Sequence, residues 1–238
     1  MPDPAPICSG RRRGAATSWP SILPPDFSLE TAHAGVICGI DEAGRGPWAG
    51  PVVAAAVILP RALPPLLARH LNDSKLLSAA RRVQLFDALT DCAQIGCGRG
   101  EIDEIDRLNI VQATFLAMRR ALGALEVDHA LVDGNLPPPL PCPVICVVGG
   151  DRRSYSVAAA SIIAKVSRDR LMAELAVRYP GYGWERNAGY GTAEHAAALK
   201  SLGVTPQHRR SFAPVAALIA PADRDATGRR CRTESHSS

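Results

Sequence analysis

The sequence predicts an α/β domain, because short apolar runs of strand length alternate with segments whose apolar residues recur at helical spacing. The chain has 238 residues, 47% of them hydrophobic, which suffices for one domain with a sizeable core. Residues 36–40 and 51–59 are apolar runs of the length of buried strands. Residues 78–92 and 109–125 each carry one apolar stripe with helical spacing.

Five strands are predicted in all. They comprise, in chain order, residues 36–40, 51–59, 93–101, 129–132 and 144–148. The last two are each followed by an acidic residue, which is Asp133 in one case and, after two glycines, Asp151 in the other. The ends of strands are where functional groups gather in α/β sheets, so both acids are candidates for a site.

Three helices are predicted from apolar periodicity and cap residues. The first begins after Ser78, whose hydroxyl suits the N-cap of a helix, and it continues to residue 92. The second spans residues 109–125, and the third runs from residue 156 to about residue 177. No internal repeat is evident, so the elements belong to one α/β unit.

Three segments of the chain differ in expected order. Residues 1–34 are rich in Pro, Ser, Ala and Arg without periodicity, so we expect a poorly ordered N-terminal extension. Residues 35–220 form the folded domain, and residues 221–238 form a flexible tail. The arginines at positions 11–13 are not followed by the apolar segment of a signal peptide, so we expect a cytoplasmic protein.

Composition argues against several functional classes. No apolar run is long enough to cross a membrane, so we expect no membrane partner. The net charge of +4 permits a polyanionic partner without demonstrating one. The seven cysteines lack the paired spacing and the matching histidines of a zinc site, and we interpret them as reduced thiols.

One segment combines two acids with a glycine-rich turn. Asp41 and Glu42 end the first predicted strand, and Gly44 and Gly46 flank Arg45 directly after it. Because neighbouring side chains of a regular strand point to opposite faces, we expect the strand to break here so that both acids serve one site. Two acids beside this arginine predict a hard-metal site next to an anion site, as phosphodiester chemistry requires.

Asp133 and Asp151 extend this acidic site if the three strand ends meet in one crevice. Either aspartate alone would more often be a turn former or a helix cap. Four converging carboxylates would repel one another without a cation, and oxygen-only ligands select Mg²⁺ or Mn²⁺ over zinc. Two such ions can activate a water and stabilise the leaving oxygen of a phosphoryl displacement.

Six motifs, taken in order, closely resemble ribonuclease HII and together span about residues 35–215. They are Asp41-Glu-Ala-Gly-Arg-Gly-Pro47, Asp73-Ser-Lys75, Val132-Asp-Gly-Asn135, Gly150-Asp151, the stretch from Ala158 to Asp169, and Gly189-Tyr-Gly-Thr192. Each motif alone is moderately specific, whereas six in the family's order are highly specific. The sister family, ribonuclease HIII, typically has Gly-Lys-Gly where this chain has Gly-Arg-Gly, which favours ribonuclease HII.

The resemblance implies a ribonuclease H-like fold, in which a mixed five-stranded sheet is flanked by helices and followed by a helical C-terminal part. It implies an endoribonuclease that hydrolyses the RNA strand of RNA–DNA hybrids and incises 5′ to single ribonucleotides embedded in duplex DNA. The products would carry a 3′-hydroxyl and a 5′-phosphate. The implied cofactors are Mn²⁺ or Mg²⁺, two ions with substrate bound, and the implied partner is nucleic acid. We expect a monomer.

The resemblance also implies roles for individual residues. The metal-binding, catalytic acids would be Asp41, Glu42, Asp133 and Asp151. The loop that reads the ribose 2′-hydroxyl and the junction phosphate would be Gly44, Arg45 and Gly46, largely through backbone groups. Tyr190 matches a tyrosine that stacks on the sugar at the DNA side of the junction. Ser74 and Lys75 match contacts to the phosphate backbone, and Asn109 is a weaker match to a DNA-strand contact.

Two alternative functions stay open at this point. A non-catalytic nucleic-acid-binding module would be expected to lack one or more of the four acids, all of which are present. Another nuclease of the same architecture, such as a junction resolvase or a DNA exonuclease, is disfavoured by residues 44–46 and Tyr190. The remaining basic residues have two interpretations, duplex contacts or solvated and paired surface charges. They are Arg152, Arg153, Lys165, Arg168, Arg170 and residues 208–210.

Overall fold

A single five-stranded mixed sheet forms the centre of the computed structural model, which describes residues 24–123 and 125–219. The strands are β1 (Ile37–Ala43), β2 (Val52–Ile58), β3 (Gln94–Gly100), β4 (His129–Asp133) and β5 (Val144–Val147). Their order across the sheet is β3-β2-β1-β4-β5. All five predicted strands are present, and the predicted α/β class is confirmed.

The sheet has an antiparallel half and a parallel half, which meet at β1. β2 pairs antiparallel with both β1 and β3, whereas β1 pairs parallel with β4 and β4 pairs parallel with β5. The carboxyl ends of β1, β4 and β5 therefore lie at the same edge of the sheet. The acids predicted at strand ends are consequently brought to one end of the domain.

β1 runs to Ala43, beyond its predicted end at residue 40, and it breaks at Gly44 of the glycine turn, as expected. β1 continues through both acids, with Asp41 opposite Ala55 and Glu42 opposite Ala54 in the antiparallel ladder. The two side chains consequently point to opposite faces of the sheet. They share a site only because both lie within the last three residues of the strand. The chain leaves the sheet after Ala43, at Gly44.

Helices cover both faces of the sheet. In chain order they are α1 (Ser28–Thr31), α2 (Pro65–His70), α3 (Ala79–Thr90), α4 (Ile102–Leu108), α5 (Ile110–Leu122), α6 (Tyr155–Arg178), α7 (Trp184–Asn187), α8 (Ala193–Leu202) and α9 (Ala213–Ala216). α3, α5 and α6 match the predicted helices within three residues at each end. Ser78 is the N-cap of α3, and its hydroxyl accepts a hydrogen bond from the backbone N–H of Arg81, as predicted.

The two long helices pack on the sheet through small residues. α5 lies on one face, where a Cβ added to Gly96, Gly98 or Gly100 of β3 would overlap one of its carbonyl oxygens. α6 lies on the other face, where a Cβ at Gly39 of β1 would overlap the backbone at Ser156. The helix backbones therefore approach the strands closely, and residues 158–160 of α6 are fully buried.

The C-terminal part is helical and has its own apolar cluster. The cluster contains Ala49, Met172, Leu175, Tyr182, Trp184, Ala198, Leu199 and Val215. Ala49 comes from the loop after β1, and Met172 and Leu175 come from the C-terminal half of α6. This cluster therefore fixes the C-terminal helices against the loop that follows the acids.

The N-terminal segment differs from the expected poor order where the structure describes it. Residues 1–23 and 220–238, which include most of the predicted extension and all of the predicted tail, lie outside the described residues. In residues 24–34, Asp26 forms a β-bridge with Ser154, and the carboxylate of buried Glu30 accepts hydrogen bonds from Ser154 and Ser156. These partners are over 120 residues away, so local composition could not indicate them.

No helix in the described ranges is long and apolar enough to cross a membrane. Five cysteines in those ranges have free thiols, namely Cys38, Cys92, Cys97, Cys142 and Cys146. The other two cysteines, at positions 8 and 231, lie outside the described residues.

Candidate active site

Four carboxylates reach the same edge of the sheet from three strands. Asp41 and Glu42 belong to β1, and Asp133 is the last residue of β4. Asp151 lies in a short 3₁₀ turn, Gly150–Arg152, that follows β5. The backbone N–H of Gly150 donates to Oδ1 of Asp133 at 2.8 Å, which joins this turn to the end of β4.

Asp41 is buried close to α6. Its Oδ1 accepts the backbone N–H of Glu42 at 2.7 Å, and Ser161 of α6 lies near its carboxylate. Ser161 in turn lies 2.9 Å from the hydroxyl of Ser74. Burial raises the pKa of Asp41 well above its usual value, and repulsion from Glu42 and Asp133 raises it further.

Glu42 is paired with the arginine of the glycine loop. Nη1 of Arg45 lies 3.4 Å from Oε1 of Glu42, and Arg45 is largely exposed to solvent. Burial raises the pKa of the Glu42 carboxyl, although the neighbouring Arg45 charge acts to lower it. The ion pair therefore offsets only part of the cost of burying this carboxylate.

Asp151 has an acidic neighbour that was not predicted as part of the site. Burial, followed by the charges of Asp73 and then Asp133, raises the pKa of Asp151 to about 6. Asp73 is itself buried, accepts the backbone N–H of Lys75 at 2.9 Å, and lies 3.4 Å from Nε of Arg152. The motif of residues 73–75 was noted in the sequence, but the proximity of Asp73 to Asp151 depends on the fold.

The donor set suits a hard divalent cation. The four side chains offer only oxygen atoms, and their mutual repulsion would be relieved by a positive ion. No three acidic, histidine or cysteine side chains in residues 24–123 and 125–219 converge tightly enough to hold an ion by themselves. An ion at these residues would therefore complete its coordination with water and substrate oxygens, as Mg²⁺ usually does.

A cleft of about 290 Å³ opens beside the acids. Its lining includes eight of the eleven predicted site residues: Asp41, Glu42, Gly44, Arg45, Gly46, Ser74, Lys75 and Tyr190. Lys75 and Tyr190 are exposed, whereas the hydroxyl of Ser74 is buried against Ser161. Asp133 lines an adjoining groove, whose lining also includes Glu42 and Arg45. Glu42 and Arg45 therefore connect the cleft with this groove.

Asn109 has a structural role at the start of α5. Its Oδ1 accepts the backbone N–H groups of Val111 and Gln112 at 2.9 and 3.2 Å, which caps the helix. Asn109 is exposed and lies outside both spaces, although Val111 lines the groove that holds Asp133. The side-chain amide N–H groups of Asn109 are not used by the cap.

The basic residues left open by the sequence divide into surface and buried groups. Lys165 pairs with Asp169 at 2.6 Å, and Arg170 lies 3.7 Å from Asp87 and stacks on Phe86. Arg168 and Arg209, by contrast, are almost completely buried. They therefore have neither of the predicted roles, because a buried guanidinium is neither a solvated surface charge nor a direct duplex contact.

Two buried histidines support the loop that carries Tyr190. Nδ1 of His195 lies 2.9 Å from the Tyr190 carbonyl oxygen and must donate to it, so Nε2 accepts from Trp184 Nε1 and from His208 Nε2, both at 3.1 Å. Burial lowers the pKa of both histidines, that of His208 to about 4. Both rings are consequently neutral, and sequence reasoning assigned neither of them to this network.

Comparisons with known proteins identify the family of this sequence. The sequence model of the family described as Ribonuclease HII matches residues 38–215. A ribonuclease HII from Paramagnetospirillum magneticum is 64% identical over 195 residues, covering 81% of this chain and 97% of that protein. One from Rhodospirillum rubrum is 62% identical over 202 residues, covering 82% of this chain and 92% of the relative.

The fold is also similar to solved structures. The crystal structure of ribonuclease H2 from Pyrococcus horikoshii superimposes with a TM-score of 0.66 at 26% sequence identity. The match covers 81% of this chain and 99% of that protein. The mixed sheet with flanking helices and a helical C-terminal part is therefore a ribonuclease H-like fold.

Proposed function

This chain belongs to the ribonuclease HII family and is a nuclease acting on the RNA strand of RNA–DNA hybrids, and we propose that it also incises duplex DNA 5′ to a single embedded ribonucleotide. The products are a 3′-hydroxyl and a 5′-phosphate. The observation that carries the proposal is the proximity of the Asp41 and Glu42 carboxylates to a loop of glycine backbone and an exposed tyrosine in one cleft.

We assign Asp41, Glu42, Asp133 and Asp151 to the binding of two Mg²⁺ or Mn²⁺ ions together with substrate. When bound, the ions would supply an activated water and a stabilised leaving oxygen for in-line displacement. The chain holds Asp41 through the Glu42 amide and Asp133 through the Gly150 amide, so these carboxylates are oriented before substrate arrives. The elevated pKa values of Asp41, Glu42 and Asp151 support this role, since a nearby cation would favour the ionised forms.

Recognition of the ribose is assigned to residues 44–46 and Tyr190. The 2′-hydroxyl is the group by which a protein tells a ribonucleotide from a deoxyribonucleotide at one position. Glycine backbone can approach it closely, and the half-exposed ring of Tyr190 offers a flat surface for the neighbouring sugar. Gly46 lies close to this ring, since a Cβ added to it would be 3.6 Å from the tyrosine.

Contacts to phosphates are assigned to Arg45, Lys75 and Ser74, with Asn109 as a further contact to the DNA strand. Arg45 and Lys75 are exposed cations on the lining of the cleft. Because the Ser74 hydroxyl is bonded to Ser161, we assign its contact to the backbone of the 73–75 turn, in which Lys75 is exposed. The amide N–H groups of Asn109 are free to donate while its oxygen caps α5. The monomeric state and the cytoplasmic location stay predictions.

A cleavage assay tests the proposal. The full chain is incubated with a DNA duplex that carries one ribonucleotide, with an identical all-DNA duplex, and with a long RNA–DNA hybrid, each with Mg²⁺ or Mn²⁺. We expect incision 5′ to the single ribonucleotide, abolished by chelator and absent from the all-DNA duplex. Cleavage of the hybrid without incision at the single ribonucleotide would restrict the function to hybrids. Cleavage of the all-DNA duplex at a similar rate would indicate a different nuclease.

A further inference from the structure

Two arginines are buried beside the glycine loop without an acidic partner. Arg168 of α6 is 1% exposed and Arg209, which precedes α9, is 0% exposed. Neither forms a salt bridge with an acidic side chain in the part of the chain that the structure describes. Burying a charge in this way is costly unless its hydrogen bonds are all made. Their partners therefore indicate what the two residues do.

Arg209 binds the carbonyl groups at both ends of the loop. Its Nη1 donates to the Arg45 oxygen at 2.9 Å, and its Nη2 donates to the Gly44 oxygen at 2.6 Å. Nε and Nη2 both donate to the Gly50 oxygen, at 2.9 and 2.7 Å. One planar guanidinium thus fixes the start and the end of the turn between β1 and β2.

Arg168 binds the same loop from the other side and joins it to the tyrosine loop. Its Nε donates to the oxygen of Pro51 at 3.1 Å, and its Nη2 donates to that of Ala49 at 3.1 Å. Its Nη1 donates to the Ala188 oxygen at 2.9 Å, two residues before Tyr190. Five carbonyl groups within residues 44–51 are thereby directed at two guanidinium groups.

Gly44 provides the space for Arg168. Its backbone has a φ of +97°, a conformation that residues with a Cβ rarely adopt. A Cβ added at this position would also overlap Nε of the Arg168 guanidinium. The first glycine of the loop and the buried arginine consequently depend on each other.

The orientation of the carbonyl groups determines where the amides point. With the oxygens of Gly44 and Arg45 held toward the protein, the N–H groups of Arg45 and Gly46 have no acceptor within residues 24–123 and 125–219. Both residues line the cleft with Lys75 and Tyr190. Burial lowers the pKa of Arg168 to about 10 and that of Arg209 to about 9, so both groups keep their charge at neutral pH.

Given the function proposed above, on which this inference rests, we propose that Arg168 and Arg209 are positioning residues for ribose recognition. They hold the carbonyl groups of residues 44–51 inward, so that the amides of Arg45 and Gly46 and the Tyr190 loop keep one geometry toward the ribose and the phosphate. They also add two buried positive charges close to an anionic substrate, where charge is screened less than at the surface. Neither residue touches the substrate.

Lysine substitutions test the proposal, because lysine keeps the charge but cannot reproduce the planar set of five N–H donors. Arg168→Lys and Arg209→Lys are compared with Arg178→Lys, an exposed position on α6. On the duplex with one ribonucleotide, we expect kcat to fall about tenfold to a hundredfold in the two buried variants, as for a small misplacement of bound substrate, with KM changed much less. Arg178→Lys should match the wild-type protein.

A merely structural role would lower the melting temperature of the lysine variants and leave kcat unchanged well below it, which would overturn the proposal. Failure of the proposed function is distinguishable, since the wild-type protein itself would then leave the single ribonucleotide uncut. A double-mutant cycle of Arg168→Lys with Gly44→Ala should be strongly non-additive in kcat, because both changes disturb the same contact. Additive effects would argue against the shared contact.

A measurement on the wild-type protein covers the case in which a lysine variant does not fold. The side-chain Nε–H groups of Arg168 and Arg209 should exchange with solvent far more slowly than that of Arg178 in NMR spectra. Adding the ribonucleotide-containing duplex should shift the backbone amide signals of Arg45 and Gly46 and leave the two protected side-chain signals in place. Rapid exchange of the buried side chains, or a duplex that displaces their signals, would overturn the proposal.

Discussion

The backbone N–H of Gly150 donates to Oδ1 of Asp133 at 2.8 Å, so the turn that carries Asp151 is joined directly to the acid at the end of β4. Asp133→Asn preserves this acceptor while removing the negative charge. We therefore expect a folded protein that still binds the duplex. Its cleavage rate should fall by more than roughly 10–100-fold, which is the loss expected when only a partner of a metal ligand is removed. Asp91→Asn, at an exposed position, is the matched control for cleavage rate and melting temperature. Wild-type cleavage by Asp133→Asn would remove Asp133 from the chemistry.

Ion binding should depend on nucleic acid, because no three ligating side chains in the described ranges enclose an ion alone. Titration of the ion into the wild-type chain, followed by calorimetry, should give weak binding. Prior addition of the ribonucleotide duplex should strengthen this binding at least tenfold. Ca²⁺ replaces Mn²⁺ in both titrations so that the duplex stays uncut. Reciprocity requires the ion to strengthen duplex binding by the same factor. Equal affinities with and without duplex would contradict a shared coordination shell.

Tyr190→Ala should weaken cleavage at a single ribonucleotide more than cleavage within a long hybrid. The ring is 48% exposed, so its removal should barely change the melting temperature. A single junction offers one correct position, whereas a hybrid offers many, so loss of junction sensing affects the former more. Tyr190→Phe keeps the stacking surface and serves as the matched comparison. Equal losses of kcat/KM on the two substrates would count against junction sensing.

Acid should destabilise the domain through the neutral histidine pair. Burial, reinforced by His195, lowers the pKa of His208 to about 4 in the folded chain, against about 6.5 for an unperturbed histidine. The unfolded chain thus binds more protons between these values, so this contribution to stability is complete above about pH 6.5 and is lost as pH falls toward 4. Denaturant unfolding at pH 7.5 and pH 5 should show a larger loss in wild-type protein than in His208→Gln. An equal loss would exclude this residue as the cause.

Glu30 should matter for both stability and catalysis, although it lies far from Asp133 and Asp151 in sequence. Its Oε1 accepts the backbone N–H of Ser156 at 2.9 Å and the hydroxyl of Ser154 at 2.7 Å, at the N-terminus of α6. Glu30→Ala leaves these buried donors without a partner, which costs about 1–3 kcal/mol of unfolding free energy. The turn of residues 150–152 ends against this helix, so kcat should fall as well. Glu126→Ala, a substitution away from this contact, is the control, and an unchanged melting temperature for Glu30→Ala would refute the role.

The positions of the acids could be predicted because each follows a recognisable strand. The first strand was predicted to end at residue 40, since an apolar pattern ends at the first charged residue, whereas the backbone ladder continues to Ala43. Ladder hydrogen bonds do not depend on the side chain, so charged residues at a strand end remain paired.

The roles of Arg209 and Glu30 could not be predicted, because their partners are distant in the chain. Arg209 contacts Arg45 across 164 residues, and Glu30 contacts Ser156 across 126 residues. A run of basic residues has the same local pattern whether the side chains are solvated or directed into a set of carbonyl groups. Only the packing of the C-terminal part against residues 44–51 distinguishes the two cases.

The antiparallel half of the sheet is made of consecutive strands, while β4, β5 and Arg209 come later in the chain. During synthesis the hairpins that carry Asp41 and Glu42 leave the ribosome well before the strands that supply the other two acids, and Arg209 follows last. A nascent chain therefore has half of its acids but neither the full charge cluster nor a fixed loop. All four acids and the fixed loop are present together only after residue 209 has been synthesised, and we expect no nuclease activity from shorter nascent chains.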